Sequence, residues 1–420
     1  MSLAEGVSRS IIYKAYASGA ITANALATSA SDLDGSTGGK YLRRVASTLN
    51  LTKDTYQSNE IRSDRQIQDF RHGVKRVTGN VSGELSPGTY FDFMEAACRG
   101  TKSSAVSLSD SDLTSVTSDN GASTFIFTGG NPVTLGLRIG DVIRFTGLAA
   151  TANNSTNFLI TGFGGTSNRT VSVYPAPTTD AVADSSFTVT SNGTSGKAVY
   201  VPSSSFVSRK FGIEVYSSDT DVSQLYTECR VGGFNIQLPA TGMGTIETTF
   251  MGRDMEVADA GSAPFFVSPS AATTTGCIAA VNGLLRIGGS TVGVVTGMNI
   301  QMSLNPSADA VVGQNFVPEI FLGRANVTGQ MTAFFQDKTM INYFKNETEV
   351  SVLAYLTASS SAAADAISVY LPRVKVGGAD VGTSGEGGQQ ITMPFQALKA
   401  DGTTAGDEAT TIRIVDTAAS

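Results

Sequence analysis

The 420-residue chain is poor in charged residues and in the side chains that most enzymes use. Asp, Glu, Lys and Arg make up 15% of it, Trp is absent and there is one His; soluble domains usually have about 25% charged residues. Hydrolase and metal sites commonly depend on His, so its scarcity argues against most of that chemistry. No apolar run approaches the roughly 18 residues of a membrane span, so membrane insertion is not expected.

The charge balance and the cysteines narrow the class of protein further. Lys plus Arg number 29 against 36 Asp plus Glu, a formal charge of −7. Nucleic-acid binding depends on cations that displace counterions from phosphates, so a specific nucleic-acid binder is disfavoured. Cys98, Cys229 and Cys277 are widely spaced, without the paired spacing of a disulfide framework or a zinc site. We expect reduced thiols in a protein made in the cytosol, and recognise no secretion signal.

The residues that are abundant favour a β-rich, structural protein. Glycine occupies 45 positions and apolar residues 41% of the chain, which is too apolar for a disordered chain. Residues 45–51 and 74–85 alternate apolar and polar side chains, the pattern of half-buried strands. Residues 90–100 follow Ser-Pro-Gly-Thr and place Phe91, Met94 and Cys98 on one face, which predicts a short amphipathic helix capped by Thr89.

A region in the first half of the chain differs from the rest in composition and in the spacing of its strand-like runs. Residues 101–122 are rich in Ser, Thr and Asp and are expected to form a linker. Five short β-branched or aromatic runs follow, separated by Gly, Asn or Pro: residues 124–128, 141–146, 157–161, 170–174 and 186–190. This spacing predicts a small Greek-key or SH3-like β-barrel, inserted as a module over residues 123–200.

The second half of the chain repeats the first. Five residues in the window 73–94 recur 250 positions later: Gly73 as Gly323, Val77 as Val327, Thr78 as Thr328, Gly79 as Gly329 and Thr89 as Thr339. Farther along, Arg230-Val231 followed by residues 245–250 parallels Arg373-Val374 followed by residues 390–395. We interpret this pattern as duplication of one β-sandwich with a flanking short helix.

These observations predict a mainly β fold with two tandem sandwich units and the inserted barrel. The expected division is an extended N-terminal arm over residues 1–35, a first unit over 36–122 and 201–260, the insert over 123–200, and a second unit over 275–420. Exposed strand edges invite pairing with another chain. Head-to-tail pairing that closes gives a ring, and rings with complementary faces stack into a tube.

Candidate sites for chemistry are weak. His72 has no nucleophile motif beside it, and residues 382–388 (GTSGEGG) lack the Lys that a phosphate loop needs. Asp110 with Asp112, and Asp219 with Asp221, read as solvated turns, since an EF-hand needs more ligands. The basic stretch Arg62, Arg65, Arg71, Lys75 and Arg76 is interleaved with acids and reads as an ion-pair surface. We therefore name no catalytic, cofactor-binding or metal-ligating residue and no cofactor, and expect no enzyme.

Three segments resemble the major tail tube proteins of long-tailed bacteriophages: residues 58–100, residues 229–255 and the run Ile367-Ser-Val-Tyr-Leu-Pro-Arg-Val. The resemblance implies a virion protein, assembled in the host bacterial cytoplasm, whose rings stack into a hollow non-contractile tube for genome delivery. It also implies an extended segment that docks on the next ring, and contacts with tape measure, tail terminator and distal tail proteins. It brings no catalytic residues.

The duplication adds an expectation about symmetry. Two fused units per chain would build a pseudo-sixfold wall from three chains, so we expect a trimeric ring, with a hexamer as the alternative. Such a ring carries a formal charge of −21, three times that of the chain, and a negative channel lets double-stranded DNA slide without specific binding. The insert would project as a decoration. A capsid or decoration shell protein and a glycan-binding adhesin remain as alternatives.

Overall fold

The computed structural model describes residues 5–16, 39–193, 196–259, 263–266, 268–382 and 387–419. The elements up to the first main helix are β1 (Arg9–Ala15), β2 (Lys40–Tyr41), β3 (Ala46–Ser47), β4 (Asn50–Gln57), β5 (Phe70–Glu84) and α1 (Phe91–Cys98). There follow β6 (Ser107–Ser109), α2 (Asp110–Leu113), β7 (Val116–Asp119), β8 (Thr124–Phe127), β9 (Val142–Thr146), α3 (Thr151–Asn154), β10 (Phe158–Gly164), β11 (Thr170–Tyr174), β12 (Asp180–Asp184) and β13 (Thr188–Ser191).

The chain then returns to the main body. Its strands there are β14 (Lys197–Tyr200), β15 (Phe211–Ser217), β16 (Val222–Pro239), β17 (Thr245–Gly252) and β18 (Asp254–Asp259). The last group is β19 (Gly283–Ile287), β20 (Ser290–Thr291), β21 (Val295–Ser303), β22 (Asn326–Phe334), α4 (Thr339–Lys345), β23 (Val350–Thr357), β24 (Ala366–Val376), β25 (Asp380–Val381), β26 (Gln390–Ala397) and β27 (Arg413–Asp416). The predicted mainly β fold is confirmed.

Two groups of strands share one pairing scheme. In the first, β5 pairs with β17 so that Gly79 lies opposite Phe250. In the second, β22 pairs with β26 so that Gly329 lies opposite Phe395. The sequence matched these glycines at an offset of 250 and these phenylalanines at 145, and both matches meet in a single register. We call β1–β5, α1 and β15–β18 the first repeat, and β19–β27 with α4 the second repeat.

One part of the sequence alignment is wrong by two residues. The β16–β17 pairing puts Val231 opposite Phe250, and the β24–β26 pairing puts Val376 opposite Phe395. Val231 therefore corresponds to Val376, not to Val374, and Arg230 corresponds to Lys375. Each strand carries an irregularity in its pairing just before this point. In the first repeat Arg230-Val231 follows the irregularity, whereas in the second repeat Arg373-Val374 lies at its end. Matching the two Arg-Val pairs by identity therefore gave the wrong register.

The repeats are joined edge to edge. The second part of β16 pairs with β21 from Gly233–Ser303 to Pro239–Gly297, so one sheet runs through both repeats. It crosses β4, β5, β17, β16, β21, β22, β26 and the end of β24 with β25. One apolar core lies under this sheet and contains Val81 and Phe250 from the first repeat and Met331 and Phe395 from the second.

The insert forms the second, eight-stranded sheet, in the order β12-β7-β8-β11-β10-β9-β13-β6. It is an open sheet, so the barrel predicted for this module is wrong: the edge strands β12 and β6 do not pair with each other in the described residues. Its strands lie within residues 107–191, so part of the stretch expected as a linker contributes β6, α2 and β7. Its own core includes Phe125, Phe145 and Phe158.

The insert packs against the second repeat. Ile139, Val142 and Leu159 of the insert form an apolar cluster with Leu353 and Tyr355 of the second repeat, among others. A buried ion pair accompanies this cluster: the Arg413 guanidinium donates to Asp141 Oδ1 at 2.7 Å, with side-chain exposures of 6% and 2%. Desolvated charges need partners of this kind, so the ion pair holds the insert in one position on the second repeat.

The predicted helix is present as α1, but its cap differs from the prediction. Tyr90 stands at the N-cap without a side-chain hydrogen bond, and Arg99 in the left-handed region ends the helix. The Thr89 hydroxyl is taken by Ser86 and by Thr273 of the segment joining the repeats. Tertiary contacts therefore occupy the side chain that the local pattern assigned to capping.

Candidate functional site: a polar sheet face with two open edges

One face of the continuous sheet is apolar and buried, and the other is polar. Strand β17 buries Ile246, Thr248 and Phe250 and turns the alternate side chains to the opposite face. Strand β26 has the same burial pattern. Successive side chains of a strand point to opposite faces, and partners opposite each other in antiparallel strands share a face. The polar side chains therefore line up across both repeats.

The alignment can be followed as a row of directly opposed residues on eight strands. From edge to edge, the row is Ala46, Ser82, Glu247, Asn235, Gln301, Thr328, Gln396 and Lys375. A neighbouring row is Glu84, Thr245, Gln237, Asn299, Gln330 and Pro394. Amides and hydroxyls dominate both rows, so this polar face is uncharged over most of its width.

The few charges on the polar face are acidic in the middle and paired at the ends. Glu247 accepts a hydrogen bond from the Asn80 amide at 2.8 Å. Toward one edge, Arg76 donates to Asp54 at 2.7 Å, and toward the other, Lys375 pairs with Glu347 at 3.1 Å. Cations at the rim are thus held by carboxylates, which leaves little free positive charge to hold a phosphate backbone.

Within the described residues, the sheet has an open edge in the first repeat along β4, which pairs with β5 alone. The Thr48 amide donates to the Asn80 carbonyl of β5 at 2.9 Å. Because amides alternate along an antiparallel strand, those of Leu49, Leu51 and Lys53 point away from β5. Of these residues, Leu49 already has partners, since its amide donates to the Ser47 hydroxyl at 3.4 Å and its carbonyl accepts from the Tyr226 hydroxyl at 2.9 Å. In the second repeat the strand corresponding to β4 is β21, which is joined to β16 by a full ladder. An edge that is satisfied inside the chain in one repeat is therefore open in the other.

The opposite edge lies in the second repeat, along the end of β24 and β25. Val376 and Val381 pair with β26 through Phe395 and Ile391, as Val231 and Ile236 of β16 pair with β17. The Gly232-Gly233 step of β16 corresponds to Gly377-Gly378 here. In the first repeat this strand carries β21 on its other side, whereas here that side is open within the described residues.

The structure gives the sequence-predicted candidates ordinary structural roles. His72 lies on β5 opposite Thr55, with its ring 5.4 Å from that of Phe70. Asp112 completes a capping box with Ser109 at the start of α2. Asp219 accepts from the Glu5 amide, and Asp221 accepts from the Tyr216 hydroxyl at 2.9 Å. The structure does not bring these residues together.

The basic stretch forms ion pairs, as its interleaved acids predicted. Arg71 pairs with Asp69, one of those acids, and Lys75 pairs with Asp254 of β18, which lies outside the stretch. Cys98 and Cys229 are buried and Cys277 is half-buried, all as free thiols; burial raises the pKa of the Cys98 thiol to about 12, which keeps it protonated and unreactive. Of the predicted loop at 382–388, residues 383–386 lie outside the described residues.

Sequence reasoning named no site residue and so missed the polar face. Its signal was present in alternating runs such as Thr328-Gly-Gln330-Met-Thr332 and Asn299-Ile-Gln301. These runs identify a two-faced strand, but only the register shows that their polar halves form one surface. Among the described residues, no cluster of acids, His or Cys is arranged to hold a metal ion, and no helix is long and apolar enough to cross a membrane.

Comparison with known proteins agrees with the duplication. A family described as phage tail tube protein matches this chain twice, over residues 10–208 and again over residues 196–397. Among curated proteins, no match was found. The two matches together span most of the sequence, and the second, which begins at residue 196, contains β15–β18 of the first repeat as well as the second repeat up to β26. The chain therefore belongs to the phage tail tube protein family, with a tube unit present twice.

Proposed function

We propose that three copies of this chain close into a ring, and that rings stack into the hollow tail tube through which phage DNA is delivered. The observation that carries the proposal is the ladder between β16 and β21. It joins the repeats through one edge of each and leaves the corresponding edges, β4 and β25, open. If the same strand pairing is repeated between chains, β25 of each copy pairs with β4 of the next. In a closed ring, no open edge is then left.

The internal joint supplies a register for the joint between chains. Inside the chain, Phe234 lies opposite Met302 and Ile236 opposite Ile300. By the correspondence of the repeats, Ala379 of one copy pairs with Leu51 of the next, and Val381 with Leu49. The outward amides of β4 then find carbonyl partners, which removes an edge that invites misassembly in the free chain.

The polar face is the proposed lining of the channel. The opposite face is buried in the core of each copy, so closing the sheet into a ring turns the polar face toward a common axis or toward solvent outside. An axis-facing surface of amides, hydroxyls and scattered carboxylates suits passage of a tape measure protein and then of DNA. Neutral and negative groups give phosphates no counterion-releasing contacts, so DNA slides without specific binding.

The insert belongs to the outside of this tube in the proposal. It is seated on the second repeat by the Asp141–Arg413 pair. We keep the division of the chain into two tube units and an inserted module that decorates the wall. The tail terminator and distal tail proteins implied by the resemblance would contact the two ends of the tube, and the location is the virion.

The test is assembly of the purified chain, followed by negative-stain electron microscopy and native mass spectrometry of rings. We expect hollow tubes, and rings with three times the 43.5 kDa mass of the chain. Rings of six chains would contradict the trimer and leave the tube standing. Absence of rings and tubes under all conditions, including molecular crowding, would contradict the function itself.

A further inference from the structure

Among the residues that the structure describes, nothing covers an apolar groove beside α4 in the second repeat. The groove has a volume of about 280 Å³ and is lined by Ile287, Val292, Phe335, Met340, Tyr343 and Ile391, among others. No residue of α4 is buried, and Phe335 and Phe344 are 37% and 45% exposed. An apolar surface of this kind on a two-faced helix usually receives a partner.

The corresponding place in the first repeat is filled. The counterparts of Phe335, Met340 and Tyr343 are Leu85, Tyr90 and Phe93, all buried in the main core. Ile278, from the segment between the repeats, is fully buried in the same cluster. Its amide donates to the Leu85 carbonyl at 2.8 Å, and its carbonyl accepts from the Gly244 amide at 2.9 Å. A short piece of extended chain thus closes this groove.

The position of that piece in the repeat identifies its counterpart. Ile278 stands just before a 3-10 turn, Ala280–Asn282, which leads into β19. A 3-10 turn, Gly6–Ser8, leads in the same way into β1. β1 pairs with β15 and β2 as β19 pairs with β23 and β20. The lead-in to the second repeat fills the groove of the first, so the lead-in to the first repeat has a groove to fill only on another copy.

A pair of acidic residues at matching positions supports a second contact in the same interface. Asp416 ends β27 and accepts from the Gly88 amide at 2.7 Å, which ties the second repeat to the loop before α1. Its counterpart at the end of β18 is Asp259, and the counterpart of Gly88 is Lys338 beside α4. Both are exposed. The Asp416–Gly88 hydrogen bond inside the chain would therefore be replaced, between two copies, by an ion pair of the Asp259 carboxylate with the Lys338 ammonium group.

We infer that the groove beside α4 is bound by residues 1–8 of the next copy in the same ring, with Ala4 in the place of Ile278, and that Asp259 of that copy pairs with Lys338. The inference rests on the proposed ring. It assigns the groove to the neighbour within a ring, and not to the ring above or below. Within the described residues of one chain the groove stays open, and the segment that fits it belongs to another copy.

The experiment is disulfide trapping in assembled tubes of the full chain, in a Cys277→Ser background. Ala4→Cys combined with Phe335→Cys places the two thiols where Ile278 meets Leu85, a backbone separation that suits a disulfide. The matched control is Val7→Cys with Phe335→Cys, since the counterpart of Val7, Val281, is 84% exposed beside the filled groove. We expect about tenfold more linked chain from the first pair than from the control.

The pattern of products discriminates between interfaces. Links within a trimeric ring give species of two and three chains and stop there, whereas links between rings continue to longer ladders. A ladder beyond three chains, or no excess over the control in tubes that form normally, overturns the inference while the proposed function survives. Absence of rings from the unmodified chain defeats the proposed function instead. If Phe335→Cys blocks assembly, Met340→Cys takes its place with the same expected products.

Discussion

The two repeats share one pairing scheme, and they differ in what covers it. In α1, seven of the eight residues are buried, whereas α4 buries none. Strand β21 of the second repeat has a strand on each side, whereas β4 of the first has one side free in the part of the chain that the structure describes. The first repeat is completed by the second within the chain. The second repeat has the same open positions and the described residues do not fill them, so the difference indicates where another copy binds.

A substitution in the free edge strand β4 gives the largest expected effect, which is on assembly. Lys53→Pro removes an outward amide of β4 without taking a hydrogen bond from β5, and proline is tolerated at an edge. Its counterpart Leu304 donates to the Gly232 carbonyl at 2.8 Å inside the chain. We expect the yield of rings and tubes to fall by about tenfold or more. The reason is that the ladder between β4 of one copy and β25 of the next loses a hydrogen bond, and the proline ring clashes with the neighbouring strand.

The control for the edge variant is Lys53→Ala, which keeps the amide and removes the charge. We expect it to assemble normally, measured by the pelletable fraction and by electron microscopy. Equal loss of tubes in the two variants would mean that the side chain matters and not the open edge. Both variants should unfold at the same denaturant concentration as the original chain when unassembled.

The buried pair between the insert and the second repeat has the next largest effect. Asp141→Ala leaves the Arg413 charge buried and unpaired, so we expect a loss of about 3–5 kcal/mol in free energy of unfolding. Asp141 also accepts from Asn192 at 3.0 Å and from the Arg138 amide at 2.7 Å. Urea denaturation of the unassembled chain measures the change.

The matched control is Glu408→Ala, which breaks a pair with Arg138 in the same interface. That pair is partly exposed, with side-chain exposures of 25% and 23%, so we expect a loss of about 1 kcal/mol or less. If the two variants lose equal stability, the burial of the Asp141–Arg413 pair is not what seats the insert.

The two matching aspartates should differ in their response to pH. Burial raises the pKa of Asp416 to about 7, whereas its counterpart Asp259 is exposed. A carboxyl whose folded pKa is raised holds its proton in the native state, so its contribution to stability is present at low pH and is lost as pH rises through the folded pKa. We expect unfolding free energy to fall by about 2 kcal/mol between pH 5 and pH 7 through this group.

Asp416→Asn should remove that part of the pH dependence, because the amide stays neutral and can still accept from the Gly88 amide. Asp259→Asn should leave the slope unchanged in the unassembled chain. Denaturation curves at several pH values provide the comparison. A slope that survives in Asp416→Asn would assign the pH dependence to other groups.

The smallest expected effect on stability is on the polar face. Glu247 of the first repeat corresponds to Thr392 of the second, so the acid occurs once per pair of units. Glu247 is half-buried and accepts one hydrogen bond from Asn80, so Glu247→Lys should lower the unfolding free energy by about 1 kcal/mol or less. If this face lines the channel, tubes of the variant should retain double-stranded DNA at low salt and release it at high salt.

Thr392→Glu is the control for the channel variant, since it adds charge of the opposite sign at the matching position. Its tubes should retain no DNA at any salt concentration. DNA retention is measured by fluorescence of labelled duplex after sedimentation of tubes. Failure of Glu247→Lys tubes to retain DNA would argue that the polar face is not reached by the duplex.

Much of the fold was predictable from local patterns, and the errors have identifiable causes. Alternation located β5, and the recurrence of Val-Thr-Gly 250 residues later located β22 and identified the duplication. The Arg230–Arg373 match failed because a pairing irregularity shifts register without leaving a mark in composition. The predicted barrel failed because closure depends on whether β12 and β6 meet, and short strands look alike in open and closed sheets.

The sequence by itself determined the β class, the repeat and the absence of recognisable catalytic motifs, because side-chain alternation and recurrence are local properties. Tertiary structure alone decided that the polar halves of the strands form one face, that Ile278 fills the groove of the first repeat, and that β4 and β25 are left open. The physical reason is that a strand carries its two faces wherever it lies, while its edges and neighbours are chosen by long-range pairing.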